Sequence, residues 1–234
     1  MKKYELTSET KVIDGVELHR IKALNSFGNI KEGDLGGWIE SEKNLSQDGD
    51  AWVFDNAKVY DNAMVYDNAT VGGNATVFEN ATVGGCAFIS GKSTVFGNAR
   101  ILGAARVGGH ATVCGYAFIN GEATVRGKAW VGGNATVSGN ATVEDKAKVR
   151  GNATVSGNAK VSRDADYIVF KNWWSSGRYF TWTRSNNKWD VGCFYGTGEE
   201  LIAKAYKDSD KSGREYERVV KYVESILKEE NNNK

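Results

Sequence analysis

Proline is absent from all 234 residues. That absence suits a chain in which every strand must donate backbone hydrogen bonds to a neighbour, because proline has no N–H to give. Cysteine is scarce as well. Cys86, Cys114 and Cys193 form no CxxC pair and lie far apart, which argues against a disulfide framework and fits free thiols in a reducing cytosol. Only two histidines occur, His19 and His110, and no metal-spaced cluster, Ser-His-Asp set or phosphate loop is found. No apolar run is long enough to cross a bilayer as a helix, and Met-Lys-Lys-Tyr-Glu leads straight into polar sequence, so neither a membrane span nor a signal peptide is expected. Charge of one sign is also missing. Thirty Lys and Arg against 29 Asp and Glu leave +1 overall, giving no global pull toward nucleic acid or membrane.

What is present is a period. From Val53 to Val161 every sixth residue is Val or Ile, nineteen times without a break, and the residue two before each is Ala in every case but Ser93. A helix of 3.6 residues per turn would scatter these side chains around its axis. Short strands instead point i and i−2 to the same side. Each unit also carries a pair such as Asp55-Asn56 or Gly73-Asn74, and a sharp corner needs one residue with φ > 0, best met by Gly or Asn. Where the second member is not Asn, the first is Gly, with the single exception of Asp145-Lys146. Asn-Ala-Thr triplets match the glycosylation sequon but are a by-product of the repeat.

The unit, as in Val137-Ser-Gly-Asn-Ala-Thr, resembles the hexapeptide repeat of left-handed parallel β-helix proteins, over about 110 residues. The resemblance implies an 18-residue triangular coil, about six regular coils in a prism roughly 30 Å long at about 4.8 Å per strand, a left-handed path, and assembly into homotrimers. The stretch from Lys31 to Ile39, with Asn44-Leu-Ser after it, resembles repeat proteins frequent in phages and prophages and often labelled transferases.

The fold expected is therefore mainly β in three parts. Residues 1–50 form an N-terminal cap, with strands at Tyr4-Glu-Leu and Val16–Ile21 around an Asp14-Gly15 turn, and an irregular first coil. Ile39 and Leu45 are six apart but Leu45 and Val53 eight, a two-residue insertion. Residues 51–165 form the β-helix. Residues 166–234 form a small α+β domain of three strands and two helices, the helices opened by capping boxes at Thr197-x-x-Glu200 and Ser212-x-x-Glu215. The second helix presents Tyr216, Val219, Val220, Val223, Ile226 and Leu227 as its apolar face.

Side chains one coil apart stack in columns. One corner column reads Lys92, His110, Lys128, Lys146, with Arg126, Thr112 and Trp130 on the flanking strand ends. Closely stacked cations repel one another by about 1 kcal/mol per neighbouring pair even in water. The column therefore favours an anion, a phosphate or a nucleotide whose base stacks on Trp130. The competing reading is a solvated corner screened by Glu144 and Asp145. Tyr60, Phe78 and Phe96 form an outward aromatic ladder, the expected oligomer interface. Trp173, Trp174, Trp182, Trp189 and Tyr195 either line a groove or form the core of the small domain.

The function expected is a non-enzymatic, phage- or prophage-type binding protein of the host bacterial cytoplasm. It would antagonise host defence by sequestering an anionic nucleotide signal or by binding a host defence protein, without a cofactor. One alternative is a hexapeptide acyltransferase using acetyl-CoA with His110 as base, although the repeat lacks the looped-out segment such enzymes use. The other is a structural or assembly protein.

Overall fold

In the computed structural model, which describes residues 2–232, the chain begins with an antiparallel hairpin, β1 (Tyr4–Ile13) and β2 (Val16–Ala23). Both turn residues have positive φ, 52° at Asp14 and 84° at Gly15, the conformation a two-residue hairpin needs to match strand twist. Strand β3 (Leu35–Ile39) pairs antiparallel with β2 on one side and parallel with Lys58–Val59 on the other. The hairpin thereby extends one face of the coil that follows.

That coil consists of nineteen two-residue strands, β4 (Trp52–Val53) through β22 (Lys160–Val161). They sort into three parallel sheets, each strand pairing with the third strand after it, as Phe88–Ile89 pairs with Arg106–Val107. The result is a parallel β-helix of three faces. In every strand the second residue, the Val or Ile of the period, is fully buried; the first lies on the outer side, partly or fully exposed except Trp52, which Tyr4 and Phe27 of the N-terminal segment cover. The alanines line the same interior, where a larger side chain would not fit three abreast. Ser93 takes an alanine place by donating its hydroxyl to the Ser90 carbonyl at 2.7 Å. The irregular first coil lies as expected. Ile39 pairs with Val59 and Leu45 with Val65, two positions further along than the regular register that Val53 keeps with Val71.

The corners correct one expectation. It is the first member of each pair that has positive φ, whether Gly, Asp or Glu: 53° at Asp55, 57° at Glu79, 58° at Asp145. The following Asn is not the left-handed residue. It stacks outside the backbone, Asn62 donating to Asn80 and Asn134 to Asn152, each at 3.2 Å. Aspartate is accommodated at the strained position because its carboxylate accepts the next coil's amide. Asp55 takes Gly73 N–H at 3.0 Å, Asp61 takes Glu79 at 3.1 Å and Asp67 takes Gly85 at 3.0 Å.

Residues 165–234 form a second unit. Here four strands, not three, make an antiparallel meander: β23 (Tyr167–Lys171), β24 (Tyr179–Thr183), β25 (Lys188–Val191) and β26 (Phe194–Gly196). The run expected as one strand from Trp189 to Tyr195 is broken by Gly192, at φ 63°, which folds it into a hairpin. Helix α1 (Gly198–Asp208) carries the Thr197–Glu200 capping box. Helix α2 (Asp210–Asn232) starts earlier than expected, because Ser209 rather than Ser212 caps it, accepting Ser212 N–H at 3.1 Å. Trp174, Phe180, Trp182, Trp189, Leu201, Tyr216, Val220 and Val223 form the core of this unit. Of the aromatic set considered for a groove, Trp174, Trp182 and Trp189 are buried there, while Trp173 and Tyr195 are exposed.

Two consequences can be measured. Val107→Asp places a carboxylate without a partner inside the coil and should abolish the cooperative melt and the β signal in far-UV circular dichroism. Retention of both would mean that Val107 does not face inward. Gly109 and Gly151 have nearly the same φ, 69° and 68°. A Cβ on Gly109 would lie 2.9 Å from Gly127 backbone atoms, whereas one on Gly151 meets nothing within 4 Å. Urea unfolding should show Gly151→Ala costing about 1–2 kcal/mol for the left-handed backbone, and Gly109→Ala distinctly more.

Candidate functional site

The cation column lies where the corners place it. Backbone N–H groups of Lys92, His110 and Lys128 donate to Gly109, Gly127 and Asp145 carbonyls at 2.6–2.7 Å, so successive corners are in register. Lys92, His110, Lys128 and Lys146 are all exposed, and none makes a side-chain hydrogen bond or ion pair with another described residue. Several other cations of the coil are matched. Arg100 lies over the Phe118 ring at 5.4 Å, Arg150 faces Asp164 at 3.7 Å, and Arg126 and Lys160 share Glu144.

Two residues expected beside the column are not free to serve it. Arg126 donates through Nε and Nη2 to Glu144 in the next coil, at 2.9 and 2.5 Å. Lys160 reaches the other Glu144 oxygen, and Ser162 donates to that oxygen as well. The Lys160 and Arg126 hydrogen bonds hold the buried Glu144 carboxyl down at about 2. Trp130 leans the other way. A Cβ on Gly132 would meet its ring at 2.3 Å, so the indole lies along its own strand over the glycine, toward the strand end away from Lys128. The absence of a side chain at 132 leaves that space for it. Stacking of a base on Trp130 beside Lys128 is not favoured by this placement.

The aromatic ladder is formed. Tyr60, Phe78 and Phe96 stack with centroids 5.3 and 5.1 Å apart and interplanar angles of 10° and 12°. Its first rung is not outward, however. Tyr60 is only 6% exposed and packs in a cluster with Leu18 of the hairpin and Trp38. Phe78 and Phe96 are half-buried. Cys114 occupies the next rung, buried and free.

A second basic cluster is not apparent from the sequence. Lys11 sits 3.9 Å from the Trp38 ring centroid and Arg20 5.6 Å, while Lys58 pairs with Trp38 across the sheet. Burial first, then Lys58 and Arg20, lowers the Lys11 ammonium to about 8. Pairing between Val12 and Glu17 and between Arg20 and Trp38 creates the group, and that register was the one signal that could have revealed it. His19, on β2 and half-buried, pairs with Ile39 and lies in the cap rather than in the cation column.

No described helix is long and apolar enough to cross a membrane, and no group of three metal-ligating side chains occurs among the described residues.

Comparison with known proteins bears on the repeat. The YdcK β-solenoid repeat model matches residues 57–73. A protein of Escherichia coli (strain K12) named as an uncharacterized acetyltransferase, YdcK, is 35% identical over 63 residues, 24% of this chain and 19% of that protein. The chain thus spans about a fifth of the length of the curated relative it matches. Its coil is a parallel β-solenoid of the hexapeptide type, similar in repeat sequence to the YdcK solenoid.

Proposed function

We propose that the chain is a non-enzymatic binding protein whose coil holds a small multivalent anion, a phosphate or the phosphates of a nucleotide, along the edge of Lys92, His110, Lys128 and Lys146. One observation carries this reading: four basic side chains one coil apart, all exposed, with no acidic partner in contact. At a rise of about 4.8 Å, two successive lysine or histidine groups can reach one phosphate, whose hydrogen bonds are charge-assisted. Arg126 is left out because Glu144 holds it, and Trp130 because its ring covers Gly132. Neither a phage origin nor antagonism of host defence follows from these side chains.

Acetyl transfer is the second reading, favoured by the name of the YdcK relative. It asks more of this chain than its edge supplies. A general base needs a partner that orients it and a substrate proton within reach, and the His110 ring has no hydrogen-bond partner among the described residues on its convex corner.

Assembly into a homotrimer is part of the same proposal. The hexapeptide resemblance implies it, and the half-buried stacked rings of Phe78 and Phe96 offer an apolar strip for a second copy. Tyr60 is not assigned to the interface, since its own chain already covers it.

Pyrophosphate and AMP are the probes for the edge, followed by thermal shift and calorimetry. Lys92→Gln combined with Lys128→Gln should weaken binding by more than about tenfold, each charge-assisted hydrogen bond being worth about 1.5–3 kcal/mol, with the melting temperature unchanged. Equal affinity in that double variant would remove the edge as the site. Acetyl-CoA turnover that vanishes in His110→Ala would replace this reading with the enzymatic one. Light scattering should give three times the monomer mass at micromolar concentration, falling in Phe78→Ser/Phe96→Ser, and a monomeric wild type would remove the assembly.

A further inference from the structure

The unit of residues 165–234 contains a cavity of about 210 Å³ between the Gly192-Cys193 hairpin turn, the loop before β24, and both helices. Its floor is apolar: Phe180, Leu201 and Ala205 are each 2% exposed. Its rim is charged. Arg178 comes from the loop, and Lys204 and Asp208 lie one turn apart on α1. None of the three makes a side-chain hydrogen bond or ion pair among the described residues, although two cations and an acid share one opening.

Two buried polar residues line the cavity, Asn172 and Tyr216. The Tyr216 ring is edge-on to Trp174 at 5.0 Å and to Phe180 at 5.3 Å, and the residue is 8% exposed. The hydroxyl accepts Asn172 Nδ2 at 2.9 Å, while Asn172 Oδ1 is taken by Ser175 N–H at 2.9 Å. Asn172 is thus fixed as the donor, and the Tyr216 proton has no acceptor among the described residues. A buried hydroxyl with an unused proton is costly unless something accepts it. Burial raises the Tyr216 phenol above its ordinary range, so the proton stays in place near neutral pH.

We infer that this cavity binds a small carboxylic acid with an apolar body, a single ring or a short chain. The apolar part rests on Phe180 and Leu201. The carboxylate accepts from Tyr216 and pairs with Arg178, whose planar fork matches it. The volume is smaller than that of pockets for drug-sized ligands, which excludes a dinucleotide or coenzyme A. Asp208 gives a further element of choice: a ligand that also carries an ammonium group finds its counter-charge on the same rim. This site is independent of the cation edge on the coil, and the two can fail separately.

The test uses the full chain. Phenylacetate, phenylacetamide and phenylalanine are titrated by calorimetry, and Cys193, exposed at the rim, is alkylated with iodoacetamide in a Cys86→Ser background. Phenylacetate should bind at least about tenfold more tightly than its neutral amide and slow alkylation of Cys193. Arg178→Gln, a change at an exposed loop residue, should remove that difference, and Tyr216→Phe should lower affinity while keeping the ring packing. Phenylalanine binding more tightly than phenylacetate, with the gain lost in Asp208→Asn, would extend the site to amino acids. Lys92→Gln/Lys128→Gln should change none of these values. Equal binding of acid and amide, or phenylacetate affinity unchanged in Arg178→Gln, would overturn the assignment.

Discussion

A left-handed backbone residue every six positions is the constraint on which the rest of the coil depends. Positive φ at the first corner residue turns the chain sharply enough for the next two residues to form a strand on a new face. Three such turns bring residue i+18 directly against residue i. Once that closure is set, the valines coincide in the interior, the backbone amides meet the carbonyls of the next coil at 2.6–3.2 Å, and no proline can be admitted. Glycine is the ordinary occupant of the corner because a Cβ there points at the next corner's backbone. Aspartate succeeds at Asp55, Asp61 and Asp67 because the carboxylate turns that close approach into a hydrogen bond.

The same closure dictates the chemistry outside. Away from the ends, each outward side chain has one neighbour in the coil before and one in the coil after, and several contacts follow from that pairing. Arg126 above Glu144 is an ion pair, Arg100 beside Phe118 a cation–π contact, and Tyr60 beside Phe78 a stack. Lys92, His110, Lys128 and Lys146 differ because each has another basic side chain for a neighbour. Repulsion between them is tolerable only at an exposed edge, where water screens it, and that is where the column stands.

The coil is legible in the sequence to the level of single residues, including the two-residue insertion before Val53, because a column is nothing more than a count by eighteen. What the count cannot supply is direction. Whether Trp130 covers its own corner or the next depends on Gly132 having no side chain, a fact two positions away in sequence and invisible in the column. Tyr60 reads as outward in its column because the hairpin that buries it is not periodic. In the second unit the strand count fails at Gly192, where one residue in the left-handed region makes two strands from one run. The cavity beside it cannot be read at all. Arg178, Lys204, Asp208 and Tyr216 come from a loop and two helices with no repeat to relate them.

This contrast bears on where function can reside. An uninterrupted coil presents convex corners, flat faces and a shallow, open depression between Phe54, Thr70, Gly72 and Phe88, none of which encloses a ligand. A solenoid of this kind can hold a charged group on an edge, or gain a groove where another copy meets it, but it cannot desolvate a reacting bond without an inserted loop or a partner. The more enclosed cavity lies in the aperiodic unit, where two helices pack on a small meander and leave the Tyr216 hydroxyl short of an acceptor. The periodic part therefore supplies a rigid array of spaced charges and the aperiodic part a shaped cavity. On the two proposals made above, shape would be recognised within residues 165–234 and spaced charge along the coil.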